Sequence, residues 1–299
     1  MKKVLFILGP TGVGKSDMAI SLAEEFNGEI ISADSVQVFK NFDVGSAKIQ
    51  QEEMKGIPHF GLDLLDANEE FSVFNYIEYT KKKIDEITNR NHLPIIVGGT
   101  GLYVKALTEG YDFGGKGKEG SFREELKQEA QEKGLVVLYE RLKELSPERA
   151  SEISQNDEKR IIRSLEVLAL GNKPSKNDVD IDAKIFALDM PRDILYDRIN
   201  KRVDIMIEKG LLQEVENLLE QGAEKDCQPM RAIGYKEVVS FLEGNLSKEE
   251  MVELIKKNSR NYAKRQLTFC RGIKNITFID VLDREKGKKE LIEKTKGWL

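Results

Sequence analysis

Val4–Leu8 is an unbroken apolar run that stops at Gly9-Pro10, the pattern of a strand buried on both faces of a parallel sheet. From Lys15 to Phe26 the apolar residues Met18, Leu22, Ala23 and Phe26 recur at helical spacing, and Gly28 is expected to stop that helix. Glu29–Ser32 reads as a second short strand. A helix is expected from Phe71-Ser72, with Ser72 as its N-cap, to about Asn89. Leu93–Val97 reads as a third buried strand, entered through Pro94 and closed by Gly98-Gly99. Strands alternating with helices in this order predict an α/β fold with a parallel sheet.

The pattern then changes. Four glycines fall among the seven residues Gly114–Gly120, which reads as a hinge or linker. Beyond it the periodicity is helical. Leu135–Glu144 is one helix, and Ser146-Pro147 places an N-cap and a proline at a first helical position. Asn156-Asp157 caps another helix, running to Leu170 and ended by Gly171. Asn172–Asp182 is polar and loop-like, and Lys184–Leu188 returns to strand character. A long helix from about Pro191 sets Leu195, Ile199, Val203, Met206 and Ile207 on one face and stops at Gly210. The rest reads as helical until a last strand at Asn275–Val281. The expected organisation is an α/β core, residues 1–115 and 183–299, interrupted by a small all-helical insertion, residues 116–182.

Of the 299 residues, 40 % are hydrophobic, enough for a sizeable core. No apolar run reaches the ~18 residues a membrane span needs. Val4–Leu8 is too short for an export signal, so the chain is expected to be cytoplasmic. Cys227 and Cys270, the only two cysteines, form no paired metal spacing. A net charge of −5 argues against nucleic acid, yet the charge is unevenly spread. Ile255–Ile279 holds seven basic residues (Lys256, Lys257, Arg260, Lys264, Arg265, Arg271, Lys274) and no acidic one. That stretch reads either as a solvated helix face or as a polyanion-binding surface.

Gly9-Pro10-Thr11-Gly12-Val13-Gly14-Lys15-Ser16 matches GxxxxGK(S/T), between a strand and a helix as that motif requires. Its glycines let the backbone wrap a diphosphate, and the helix that begins there adds its positive end. Lys15 neutralises phosphate oxygens, and the Ser16 hydroxyl is placed to hold Mg²⁺. Such a P-loop does not name a reaction. A kinase acting on a small molecule or nucleoside, and an RNA-binding module without turnover, both stay open on this motif. Asp34 follows the second strand, at the sheet edge where ligands bind. It reads as a general base, as a metal-linked acid, or as a loop carboxylate capping a turn. Gln37 offers a donor and an acceptor, which suits a nucleobase edge. Thr100, in Gly98-Gly99-Thr100-Gly101 after the third strand, is expected near phosphate oxygens, or else marks only a tight turn.

GPTGVGKS, ISADSVQVFK, GSAK at Gly45–Lys48, IVGGTGLYVKAL, RAIGYKE at Arg231–Glu237 and AKRQLTF at Ala263–Phe269 together resemble the bacterial tRNA dimethylallyltransferases, in order and spacing, over nearly the whole chain. The departures, Val36, Phe39, Ser46, Phe60 and Phe269, are mostly conservative. The resemblance implies a P-loop NTPase-like core that transfers a dimethylallyl group from dimethylallyl diphosphate to the exocyclic amine of the adenosine 3′ of the anticodon. The tRNAs concerned read codons beginning with U. Gly9–Ser16 then hold the leaving diphosphate with Mg²⁺, Asp34 is the base, and Thr100 lies by the reacting groups. Asp34, Ser35, Val36, Gln37, Thr100, Arg231 and Lys236 are expected to meet the anticodon loop. Arg123, Lys159, Arg160 and Arg163 of the insertion, with Lys264, Arg265 and Gln266, are expected on the tRNA as well. The implied enzyme is monomeric and needs no membrane. His59 and His92, the only histidines, are given no role.

Overall fold

Val4–Leu8 are at most 2 % exposed, as a run apolar on both faces requires, and they form the middle of strand β1, Lys2–Leu8. The computed structural model describes residues 1–110, 120–169 and 180–299, and the chain divides into two compact units: Met1–Thr108 with Asp180–Leu299, and Glu109–Val179. Most of the glycine hinge, the polar loop up to residue 179 and the expected helix end at Leu170-Gly171 lie outside the described residues.

In the first unit β1 is joined by β2 (Gly28–Ala33), β3 (His59–Phe60), β4 (Leu93–Gly98), β5 (Ile181–Asp189) and β6 (Ile276–Asp280). All pairings are parallel, in the order β3-β2-β4-β1-β5-β6. Helices α1 (Lys15–Phe26), α2 (Val73–Asn89) and α3 (Gly101–Glu109) belong to the first half of the chain. Ser72 caps α2 as expected, accepting from the Asn75 N–H. Three details differ from the sequence reading. Strand β3 carries no signal in the sequence, because two residues show no period. Strand β5 starts at Ile181: Lys2 and Lys3 pair with Ile181 and Asp182, so these two residues belong to the sheet and not to the polar loop. Helix α1 is ended by Asn27, in the left-handed conformation (φ 51°), and Gly28 already belongs to β2.

One core packs α1 against β1, β2, β4 and β5 through residues such as Leu22, Ile7, Ile95 and Leu188. A second gathers Phe39, Phe42 and Tyr235 with Val203, Leu211 and Val238. Within β2, Glu29 is 2 % exposed and accepts from Arg90 at 3.0 and 2.6 Å, with His92 Nδ1 at 2.5 Å. Burial opposes its ionisation, but the bonds from Arg90 and His92 outweigh that and hold its carboxyl below the usual range. A depressed folded-state pKa adds stability above the unfolded value, and this is lost as pH falls through the folded one. Arg90 and His92 are partly exposed and regain water when Glu29 is removed. Glu29→Ala is therefore expected to lower stability at pH 7 by about 1–3 kcal/mol, and by progressively less as pH falls below the usual carboxylate range, as urea melts across that range would show.

After the insertion come α8 (Arg192–Glu208), α9 (Leu211–Glu220), α10 (Tyr235–Leu242), α11 (Lys248–Arg271) and α12 (Arg284–Lys296). The second unit is helical in its described part: α4 (Gly120–Lys133), α5 (Leu135–Leu145), α6 (Pro147–Ser151) and α7 (Glu158–Ala169). Leu126, Leu138, Leu142, Ile161 and Leu165 form its core. Asp157 caps the last helix through the Arg160 N–H (3.1 Å). Ser146 precedes a helix with Pro147 at its start but makes no side-chain cap bond.

Candidate active site

The P-loop follows β1 and takes its shape from its glycines. Gly9, Gly12 and Gly14 have φ of 143°, 81° and 100°, conformations that cost a side-chain residue strain. A Cβ at Gly9 would lie 2.7 Å from the Leu188 carbonyl oxygen, and one at Gly14 would lie 3.3 Å from a guanidinium nitrogen of Arg284 and 3.8 Å from one of Arg198. The Lys15 ammonium donates to the carbonyls of Gly9 (3.1 Å) and Pro10 (2.9 Å). Burial, and then the Arg202 cation, push its pKa down to about 8.

The loop borders a cavity of about 280 Å³, lined at one end by Thr11, Gly12, Lys15, Ser16, Arg198, Arg202 and Arg284. Asp34 and Gln37 line the same cavity. A second cavity, of about 350 Å³, is lined by Ser35, Val36, Arg231, Lys236 and Arg265 among others. The two share Thr11, Asp34, Ser46, Arg202 and Tyr262, so they meet at Asp34. Asp34 stands one residue past the end of β2. Its Oδ1 accepts from the N–H groups of Val36 (2.8 Å) and Gln37 (3.3 Å). It therefore caps a turn, and it also lines the junction of the two cavities. Tyr262 is pushed up to about 12 by burial and then by the Asp34 charge, so its hydroxyl keeps its proton at neutral pH.

The walls are braced. Gln266, 6 % exposed, accepts from the Thr11 N–H (2.8 Å) and donates to the Gly99 carbonyl (3.1 Å), tying the P-loop to the turn after β4. Gln37 accepts from Ser32 Oγ (3.0 Å) and donates to the Ser46 carbonyl (3.3 Å). The loop carrying Ser46 is clamped by Glu214, which accepts from the N–H groups of Asp43 (3.1 Å), Val44 (2.6 Å) and Gly45 (3.0 Å) and from the Tyr235 hydroxyl (2.7 Å). Buried Lys48 holds the same loop through Asp43 (2.6 Å), Asp63 (2.5 Å) and the Phe39 carbonyl (2.9 Å).

Several residues expected at the site line neither cavity. Thr100 is in neither lining; its Oγ1 is buried near the Tyr262 hydroxyl without a hydrogen-bond partner among the described residues. Lys264 lines a small separate cleft with Arg192 and Arg271. The basic stretch does not form one free face, because Lys256 pairs with Asp204 (2.8 Å) and Arg260 donates to Asn200 (2.6 Å). In the second unit Arg123 meets the buried Glu166 carboxylate with two bonds (2.8 and 2.9 Å) and Arg163 reaches it at 3.4 Å. Lys159 and Arg160 are exposed, with Arg160 3.4 Å from Asp157. Sequence reasoning missed Arg198, Arg202, Arg284, Tyr262 and Ser46. Arg198 and Arg202 left a signal, two arginines four apart beside an apolar helix face. Arg284 left none.

Among the described residues no three His, Cys, Asp or Glu side chains form a metal-binding group. Among the described residues the first cavity is lined by two carboxylates, Asp17 and Asp34, and by hydroxyls that include Ser16, and Asp17 pairs with Arg284 (3.1 Å). That sparse set fits Mg²⁺, which takes most of its ligands from phosphate and water. No described helix is long and apolar enough to cross a membrane.

Residues 37–273 match the model of the IPP transferase family. The chain is 46 % identical, over 292 residues, to a tRNA dimethylallyltransferase of Bacillus cereus, covering 95 % of this chain and 92 % of that protein. The corresponding Bacillus anthracis protein is also 46 % identical, with 95 % and 93 % covered. Among solved structures, the full-length tRNA isopentenylpyrophosphate transferase of Bacillus halodurans superposes with a TM-score of 0.77 at 40 % identity, over 99 % of this chain and 96 % of that one. A eukaryotic dimethylallyltransferase acting on tRNA gives a TM-score of 0.79 at 28 % identity, over 99 % and 78 %.

Proposed function

The chain belongs to the IPP transferase family, and from that premise we propose that it transfers a dimethylallyl group from dimethylallyl diphosphate to the exocyclic amine of the adenosine 3′ of the anticodon, in tRNAs that read U-starting codons. The observation that carries this reading is the junction of the two cavities. A cationic P-loop cavity suited to a diphosphate and a second cavity rimmed by Arg231, Lys236 and Arg265 share one wall, and Asp34 stands on it.

In this reaction the carbon–oxygen bond to the diphosphate breaks, and its electron pair leaves with the diphosphate. A carbon–nitrogen bond forms to the adenine amine. The amine loses one proton, which Asp34 accepts. Lys15, Arg198, Arg202 and Arg284, with the P-loop N–H groups, neutralise the charge growing on the leaving group. Ser16 would hold a Mg²⁺ ion, which would supply Lewis-acid neutralisation of the diphosphate there. The amine is a weak nucleophile because its lone pair is delocalised into the ring, so a positioned base is useful. The Val36 and Gln37 N–H groups fix Asp34 by one oxygen, and the other oxygen takes the proton. Thr100 and Tyr262 supply hydroxyls close behind.

The target base leaves its stack to enter the second cavity. Ser35 and Val36 meet it there and Gln37 reads it from the first cavity, while Arg231, Lys236 and Arg265, and Lys264 from its separate cleft, hold phosphates of the RNA. Gln266 acts by keeping the P-loop in place. In the helical insertion Lys159 and Arg160 offer phosphate contacts, and Glu166 holds Arg123 and Arg163 in their own. The reading carries with it a monomeric enzyme working in the cytoplasm, where tRNA is met. Incubation with dimethylallyl diphosphate, Mg²⁺ and unmodified tRNA is expected to raise the mass of U-reading tRNAs by one dimethylallyl group in place of one hydrogen. Unchanged mass across all of them would overturn the proposal.

A further inference from the structure

The first cavity has two chemically unlike ends. Its cations gather at the P-loop. From Asp34 it runs back along β2, where Ser32 and then Ile30 point to the face that carries α1. Two residues of strand advance about 6.5 Å, so Ile30 lies about that much deeper than Ser32. Val97 pairs with Ser32, and His59 with Ile30, so both point to this face too. Along this stretch the apolar side chains Ala19, Ile30, Ile49, Leu62 and Val97 line the cavity beside the Ser32 hydroxyl and the His59 ring. His59 adds no charge there. Its Nδ1 lies 2.8 Å from the Ile57 carbonyl, and burial lowers its pKa, so the ring is neutral. One residue pair further back, the trough is plugged. A Cβ at Gly28 would lie 2.6 Å from Ile95 Cδ1, so the Ile95 side chain already fills that space.

An allylic diphosphate seated on the P-loop must present its reacting carbon to the second cavity, where the adenine amine arrives. Leaving group and nucleophile take two sides of that carbon. The hydrocarbon tail is left with the apolar end. We propose that Ile30, Ile49 and Leu62 close this end behind a five-carbon tail and so set the prenyl chain length that the enzyme accepts. The inference rests on the transfer reaction proposed above, and longer allylic diphosphates would undergo the same bond changes if they fitted. Ile30 is 3 % exposed and belongs to the core, whereas Ile49 and Leu62 are half-buried and can be trimmed with less effect on folding.

The test compares dimethylallyl and geranyl diphosphate as donors to tRNA. A pocket discriminates about 10–200-fold per methylene it cannot place, so wild-type protein is expected to favour dimethylallyl by about 100-fold or more in kcat/KM. The Ile49→Ala/Leu62→Ala variant is expected to narrow that ratio at least tenfold, through a lower KM for geranyl diphosphate. A ratio unchanged in a variant that still binds tRNA would overturn the proposal. A second measurement does not depend on how the variant folds. Geranyl diphosphate should be a poor competitor of dimethylallyl transfer by wild-type protein, and competition as strong as that of dimethylallyl diphosphate itself would show an open end and overturn the proposal equally. Absence of transfer from dimethylallyl diphosphate by wild-type protein is a different result, and it would remove the reaction itself.

Discussion

Replacing Asp34 with alanine is expected to lower kcat by about 10²–10⁴-fold, the usual contribution of a general base, while the affinity for tRNA stays near that of the wild type. Alanine removes two things at once, the base and the acceptor for the Val36 and Gln37 N–H groups. Asparagine separates them. Its amide oxygen can still accept both bonds and keep the turn, but it takes no proton from an amine. If Asp34 acts as the base, Asp34→Asn loses as much rate as Asp34→Ala. If Asp34 serves only to shape the turn, Asp34→Asn keeps most of the rate. Single-turnover transfer with saturating tRNA measures the difference directly. An Asp34→Asn protein within tenfold of wild type would exclude the proton-acceptor role.

That ambiguity at Asp34 shows where sequence reasoning stops. Burial on both faces writes itself into a strand as an apolar run, so β1, β2 and β4 were legible within a residue or two. The P-loop was legible because backbone geometry restricts its residues: only glycine tolerates φ of 143° against the Leu188 carbonyl. What brings a distant side chain to a site leaves little such trace. Arg284 begins a C-terminal helix that docks beside the loop at Gly14, about 270 residues away along the chain, and nothing in the intervening pattern marks it. The resemblance puts Gln266 on the tRNA, and a linear motif does not say which way a side chain turns. The fold turns Gln266 inward, where both ends of its amide are used by Thr11 and Gly99. The helix puts Tyr262 and Gln266, four apart, toward the site and Lys264 toward the separate cleft. The short β3 was illegible for a related reason: two residues carry no period, and their place comes from pairing with Ile30 and Ile31.

Lys15 offers the second large effect, and its sign follows from its surroundings. In the free protein its pKa is lowered to about 8 by burial and by Arg202, so it is charged below that pH and neutral above it. A bound diphosphate favours the charged form. Above pH 8, binding of dimethylallyl diphosphate must therefore take up a proton at Lys15, and affinity should weaken as pH rises through about 8. At pH 7 the lysine is already charged and contributes little uptake. Calorimetry in two buffers of different ionisation heat reads the protons directly. Lys15→Met should abolish this uptake and also lower kcat by about 10²–10³-fold, since it removes a cation aimed at the charge that grows on the leaving group. Equal proton uptake above pH 8 in wild-type and Lys15→Met protein would place the titrating group elsewhere. Full activity in the variant would mean that Arg198, Arg202 and Arg284 suffice for the diphosphate, leaving Lys15 only its bonds to the Gly9 and Pro10 carbonyls.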